Sequence, residues 1–178
     1  MHLTGRHDGF SRHHVPCSRP ASERGRSAAE GLRVAELSDE AHERIQSLCK
    51  KGDALAKKGQ YPAALQQYWA AWDLLPEPQT GWEAATWILA AIGDANFLGG
   101  DYTAGRDNLS MAMHCPDAIG NPFLHLRLGQ CQFELDDLDR AADELARAYL
   151  GGGSDILEGA DKYFAFLKTR LQPPPGGW

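Results

Sequence analysis

The chain has 178 residues, of which 43% are hydrophobic and 24% charged, as in an ordinary globular protein of one domain. It contains no apolar run long enough to cross a membrane, and its Arg- and His-containing start lacks the apolar core of a secretory signal, so we expect neither feature. Four cysteines show no close pairing pattern, which favours reduced thiols and a cytoplasmic protein.

Charge divides the chain into a basic start and an acidic remainder. Residues 1–35 carry six arginines and three acids, a net charge of +3, and lack helical periodicity. We predict that they form a disordered basic N-terminal arm, passive or the product of an over-long gene start. Residues 36–178 hold twelve basic and 21 acidic groups, a net charge of −9. This acidic part disfavours nucleic acid and anionic membranes and favours a basic or apolar protein partner.

From Ser38 onward, apolar periodicity predicts helices in pairs. Ser38 is the predicted N-cap of the first helix, and Asn121 followed by Pro122 is the predicted start of the fifth. The turn inside each pair is predicted at a residue type that tolerates a positive φ. These turn residues are Gly59, Gly100 and Asp136.

The C-terminal end is predicted as a glycine break, one helix and a tail. Gly151–Ser154 lacks the lysine and the spacing of a phosphate-binding loop, so we interpret it as a flexible break. A capping helix is predicted over 155–171, followed by a Pro/Gly tail at 173–178. Trp178 either docks on the last helix or is loose.

A spacing of small and large apolar residues occurs three times. Each copy has a glycine in its first helix and a large residue 16 positions later. The pairs are Gly52 and Tyr68, Gly93 and Leu109, and Gly129 and Leu145. We expect the glycine to let the paired helix approach closely and the large residue to fill the gap between neighbouring hairpins. One hairpin cannot bury its apolar face alone, so the repeat predicts stacked helical hairpins.

The stretch from Gly52 through Gly59 and Tyr61 to Ala64 resembles the tetratricopeptide repeat. The resemblance implies an all-α fold, a right-handed superhelix of three helix-turn-helix repeats with a capping helix. The repeats would cover about 45–78, 86–119 and 122–153 within a domain at 36–172. Departures from the family pattern include Gly105 in place of alanine and Asp136 in place of the turn glycine.

The resemblance also implies a concave groove, lined by the first helix of each repeat, that binds a protein or peptide. Trp82 and Trp87 flank an insertion in the first linker and are the predicted aromatic anchors, whereas Trp69 and Trp72 are expected to pack in the core. The family's carboxylate clamp has basic or amide residues where aspartates stand here, so acidic C-terminal tails are not expected ligands. The predicted groove residues are Asp53, Lys57, Trp82, Trp87, Asp94, Phe97, Phe123, Gln130, Phe133 and Glu134.

We identify no catalytic residue, metal site or cofactor site in the sequence. His114, Cys115, His125 and Cys131 are metal-binding types, but their predicted positions scatter them over different helix faces. Cys49 lies on the predicted groove without a neighbouring histidine to activate it. We therefore expect a non-enzymatic binding protein.

Two specific roles compete for such a binding protein. The chain looks like the small repeat proteins that bacteria pair with toxins as immunity partners. It is also similar in size and layout to type III secretion chaperones that hold a secreted protein in their groove. A regulatory subunit of an enzyme is the alternative from another class, and a homodimer through the groove aromatics stays open.

Overall fold

The computed structural model describes residues 37–173 and Trp178, so the predicted arm at 1–35 and most of the tail at 173–178 lie outside the described residues. Within the described part the chain forms seven α-helices and no strand, which confirms the all-α prediction. Two short 3₁₀ segments accompany them, at Gln79–Gly81 and Ser154–Leu157. The helices are α1 (Asp39–Ala56), α2 (Tyr61–Trp72), α3 (Glu83–Leu98), α4 (Tyr102–Ala112), α5 (Pro122–Glu134), α6 (Leu138–Gly152) and α7 (Asp161–Arg170).

The helices pack in the order of the chain. The most extensive contacts join α1 with α2, α3 with α4, and α5 with α6, and further contacts join α2 with α3 and α4 with α5. The first helices of the three pairs also contact one another, α1 with α3 and α3 with α5, and α7 packs on α6. Neighbouring pairs packed in sequence are compatible with a helical repeat. None of the described helices has the length and apolar character needed to cross a lipid bilayer.

Each pair is closed by the same contact between a glycine and a large side chain. A Cβ atom added to Gly52 would lie 2.7 Å from Tyr68 Cδ1, and one added to Gly129 would lie 2.9 Å from Leu145 Cγ. In the middle pair, the equivalent Cβ on Gly93 would lie 2.8 Å from Leu109 Cδ2. The predicted close approach is confirmed. The large residues lie against the glycine of their own pair, whereas the sequence analysis placed them between neighbouring hairpins.

Local sequence signals set the helix ends. The Ser38 hydroxyl accepts a hydrogen bond from the Ala41 N–H at 3.3 Å, and the Asn121 side chain accepts one from the Phe123 N–H at 3.0 Å. These caps satisfy N–H groups that have no partner within the helix. The predicted turn residues Gly59, Gly100 and Asp136 have φ values of 71°, 84° and 60°.

The C-terminal end differs from its prediction. Helix α6 continues through Gly152, so the glycines at 151 and 152 do not break it. The helix predicted over 155–171 is instead a 3₁₀ turn followed by α7, with Gly159 between them at a φ of 76°. Trp178 docks: its ring meets Tyr149 edge-on at 5.3 Å and Phe164 at 5.7 Å between centroids.

Candidate functional site

The first helices of the second and third pairs are buried on all sides. In α3 every residue from Ala84 to Phe97 is buried except Trp87, which is half-buried. In α5 every residue from Phe123 to Gln132 is buried. A surface helix keeps a polar stripe toward water, whereas a helix that is apolar all round lies in a core. We call the side of the stack formed by α1, α3 and α5, where the sequence predicts the groove, the first-helix face.

A buried arginine organises the middle of this face. Arg127 of α5 has a side chain only 2% exposed, and its Nη2 lies 2.6 Å from Asp94 Oδ1 of α3. Its Nη1 donates to Gln130 Oε1 at 2.7 Å. The guanidinium carbon stands 4.4 Å from the centre of the Phe97 ring and 5.5 Å from that of Phe123. Burial of a charge is costly unless it is paired, and Asp94 and the two rings provide that compensation.

Helix α7 supplies a second organising side chain, Tyr163. Its ring lies 6.4 Å from Phe97 and 5.3 Å from Phe133 between centroids. Its hydroxyl donates to Glu134, which also forms an ion pair with Lys162. Burial, followed by the hydrogen bond to Glu134, raises the pKa of Tyr163 above its ordinary value, so the phenol keeps the proton that it donates.

Arg127 and Tyr163 connect six of the ten predicted groove residues into one cluster. We call it the Arg127–Tyr163 cluster. Its members from the predicted set are Asp94, Phe97, Phe123, Gln130, Phe133 and Glu134. Their interactions with one another stabilise the packing of α3, α5 and α7, and their contact with a partner stays a prediction.

The other four predicted residues lie outside this cluster. Asp53 is buried and accepts a hydrogen bond from the Tyr68 hydroxyl at 2.9 Å, while Lys57 is exposed at the end of α1. Trp82 is the N-cap residue of α3, and its indole N–H donates to the Pro76 carbonyl at 2.7 Å. Trp87, on α3, is half-buried and so remains partly open to solvent.

The two other tryptophans of the first pair differ in exposure. Trp72 is buried, as expected for packing, but Trp69 is 37% exposed on α2 and meets Trp72 edge-on at 6.4 Å. The core prediction therefore holds for Trp72 and is wrong for Trp69. Trp69 offers an exposed ring on α2, the second helix of the first pair.

Sequence analysis missed Arg127 and Tyr163. A signal for Arg127 exists, because it stands between Leu126 and Leu128 in a mostly apolar helix, and Asp94 is similarly isolated in α3. Two lone charges of opposite sign on apolar helices indicate a buried pair. Tyr163 has no such signal, since its position depends on where α7 docks.

Burial keeps the thiols of Cys115 and Cys131 protonated. Cys49, Cys115 and Cys131 are buried and free of disulfides. Burial raises the pKa of Cys131 to about 12 and that of Cys115 above its ordinary value, so neither is a thiolate at neutral pH. Among residues 37–173 no group of three or more His, Cys, Asp or Glu side chains is arranged to hold a metal ion.

Comparison with known proteins adds no relative. No protein-family model matches the chain, and no curated protein matches it. The class of the protein therefore follows from the fold alone: a helical protein whose neighbouring helices pack in pairs.

Proposed function

We propose that this chain is a non-catalytic protein-binding module of the tetratricopeptide type, a right-handed superhelix acting in the cytoplasm. The observation that supports the proposal best is the contact between a glycine and a large residue 16 positions later, which recurs in all three helix pairs. A repeated contact at constant spacing is typical of stacked repeat hairpins, which commonly present an extended surface to another protein. The free cysteines agree with a reducing compartment.

The first-helix face is the proposed binding surface. Trp87 supplies a half-buried ring there, and tryptophan is enriched among residues that dominate binding energy. The net charge of −9 over residues 36–178 favours a basic partner and raises its rate of association.

Among specific roles, we favour an immunity protein that covers a basic toxin. The charge of the folded part supports this role, because it complements a basic surface. A secretion chaperone would hold an extended apolar segment, and its binding would depend little on salt. A regulatory subunit of an enzyme remains the third candidate.

Affinity capture with the full-length chain from its native cells tests the proposal. The informative variant is Trp87→Ala, and Trp69→Ala is its matched control, since one removes a partly exposed indole from a first helix and the other removes one from a second helix. We expect one stoichiometric protein that the wild type and Trp69→Ala retain and Trp87→Ala loses. A protein lost only with Trp69→Ala would instead assign binding to the second helices.

Raised salt then separates the two favoured roles. Release of a folded basic partner by salt supports the immunity role, because Coulomb attraction between exposed charges is screened. Retention of an extended apolar segment at the same salt supports the chaperone role. Capture of an active enzyme as the stoichiometric partner would favour the regulatory subunit.

A further inference from the structure

An aromatic slot lies between α6 and α7, two helices that do not belong to the first-helix face. The rings of Tyr149 and Phe164 form its walls, Lys168 lies beside them, and Trp178 occupies it. We call Tyr149, Phe164 and Lys168 the Tyr149–Phe164 slot. We propose that this slot is a binding site for an indole side chain, and that Trp178 fills it as an intramolecular ligand that a tryptophan-bearing peptide displaces.

The slot is built by two helices and does not depend on the segment that brings Trp178. Tyr149 belongs to α6 and Phe164 to α7, and their rings stack at 6.2 Å between centroids with an interplanar angle of 26°. Helix α7 is fixed to the rest of the fold through Tyr163 and Leu167, which are both buried. Because none of these contacts involves Trp178, the walls should keep their positions when the indole leaves.

The arrangement of the rings favours an indole. The Trp178 ring meets Tyr149 at 5.3 Å and 65° and Phe164 at 5.7 Å and 84°, so both contacts are edge-to-face, as aromatic pairs prefer. Lys168 Nζ lies 3.9 Å from the centre of the Phe164 ring and 5.9 Å from that of Trp178. A cation is attracted more strongly by tryptophan than by phenylalanine or tyrosine. The slot therefore selects tryptophan among aromatic side chains.

The burial of Trp178 agrees with a side chain held by the slot. Trp178 belongs to no helix, yet it is half-buried, whereas Trp69 on α2 is 37% exposed. Residues 172–177 are one glutamine, three prolines and two glycines, so the indole is the single aromatic ring that this segment brings to the slot. A ligand that consists of one side chain exchanges with the same side chain from another molecule.

The tether determines how strongly an external peptide must compete. A tethered side chain acts at a high effective concentration, and an external ligand binds only to the fraction of molecules in which the slot is open. A slot filled by Trp178 in nine molecules of ten would weaken the apparent affinity for a peptide about tenfold. Replacement of Trp178 removes this competition and should make the slot accessible.

Peptide binding to the full-length chain tests the proposal. The probe is a fluorescently labelled peptide with the sequence of residues 172–178, Gln-Pro-Pro-Pro-Gly-Gly-Trp, amidated so that it carries no terminal carboxylate. We expect fluorescence anisotropy to show that this peptide binds Trp178→Ala at least about tenfold more tightly than it binds the wild type. The same peptide with alanine in place of its tryptophan should bind neither protein.

The walls of the slot are tested in the Trp178→Ala background. Phe164→Leu keeps an apolar side chain but removes the ring that contacts the indole and Lys168, so it should weaken peptide binding about tenfold. Phe166→Leu is the matched control, because Phe166 is a half-buried ring of the same helix that contacts Phe133. This control should leave peptide binding nearly unchanged, and circular dichroism checks that both variants keep their helices.

Three results would overturn the proposal. One is equal binding of the peptide to the wild type and to Trp178→Ala, which would mean that Trp178 does not fill the slot. Another is no binding to Trp178→Ala, or equal losses with Phe164→Leu and Phe166→Leu, which would mean that no separate indole site exists. The third is a dimeric wild type that becomes monomeric in Trp178→Ala, which would mean that Trp178 fills the slot of a second copy. None of these readouts needs a partner of the first-helix face, so this proposal and the proposed function fail independently.

Discussion

Arg127 shows how one buried side chain fixes the relative positions of two helices, α3 and α5. The substitution Arg127→Met leaves the Asp94 carboxylate buried without the guanidinium that pairs with it. We therefore expect the free energy of unfolding to fall by about 3–5 kcal/mol. Denaturant titration of the full-length chain measures this change. A second variant that also carries Asp94→Asn removes the stranded charge and should recover part of the loss.

The control for Arg127 is an exposed arginine in an ion pair. Arg147 pairs with Asp143 one turn away on the surface of α6, and Arg147→Met should change stability little, because water screens exposed pairs. Equal losses at Arg127 and Arg147 would contradict the account of a buried pair that organises α3 and α5.

The raised pKa of Cys131 predicts how the free energy of unfolding changes at alkaline pH. Its folded pKa of about 12 exceeds the ordinary value of 9.0, so between these values the unfolded chain binds fewer protons than the folded one. The free energy of unfolding should therefore fall as pH rises through this window and be unaffected by this thiol below it. Denaturation midpoints at neutral pH and at about pH 11 measure the fall, which should be shallower in Cys131→Ala. An equally steep fall in Cys131→Ala would contradict the assignment of this pH dependence to the Cys131 thiol.

At the scale of elements, Gly93 sets how closely α3 approaches α4. In Gly93→Ala the new methyl group meets Leu109, and overpacking of this kind costs about 1–3 kcal/mol, of which the better helix propensity of alanine returns about 1 kcal/mol. We expect a net loss of stability in denaturant titration. A double variant with Leu109→Val should be less sensitive to the added methyl group, since the clashing side chain is smaller.

Gly81→Ala is the control for this contact. Gly81 is exposed, and a Cβ there would come no closer than 3.9 Å to Pro78, so stability should change by less than about 0.5 kcal/mol. A stabilised Gly93→Ala would show that α3 and α4 have room to separate without cost.

The elements that sequence predicted best are those with local causes. Ser38 and Asn121 cap helices through their own side chains, and Gly59 and Asp136 adopt the positive φ that their residue types tolerate. The C-terminal end was predicted less well because its causes are tertiary. Gly151 and Gly152 stay helical, and a Cβ on Gly152 would lie 2.8 Å from Ile156, so these glycines permit close packing and do not act as a break.

The candidate site was predictable only in part. The resemblance to the tetratricopeptide repeat implied a set of groove residues, some of which do come together, such as Asp94, Phe97 and Gln130. It did not predict that these residues interact with one another through Arg127, because pairing across helices depends on the side-chain packing of two repeats. The tertiary contact of Tyr163 likewise had no local signature.

At the scale of the whole molecule, residues 36–178 carry a net charge of −9 and include three similar helix pairs, of which the first helices of the second and third pairs are buried. We propose that a basic partner binds this acidic part of the chain at the first-helix face. Screening by salt should therefore weaken this contact.

The central claim is that the first-helix face binds a protein, and titration of the captured partner with the full-length chain tests it most directly. We expect Trp87→Ala to weaken the dissociation constant at least about tenfold and Trp69→Ala to leave it nearly unchanged, as for a tryptophan that anchors an interface. Equal affinity for wild type and Trp87→Ala, with a loss in Trp69→Ala, would contradict the claim and assign binding to the second helices.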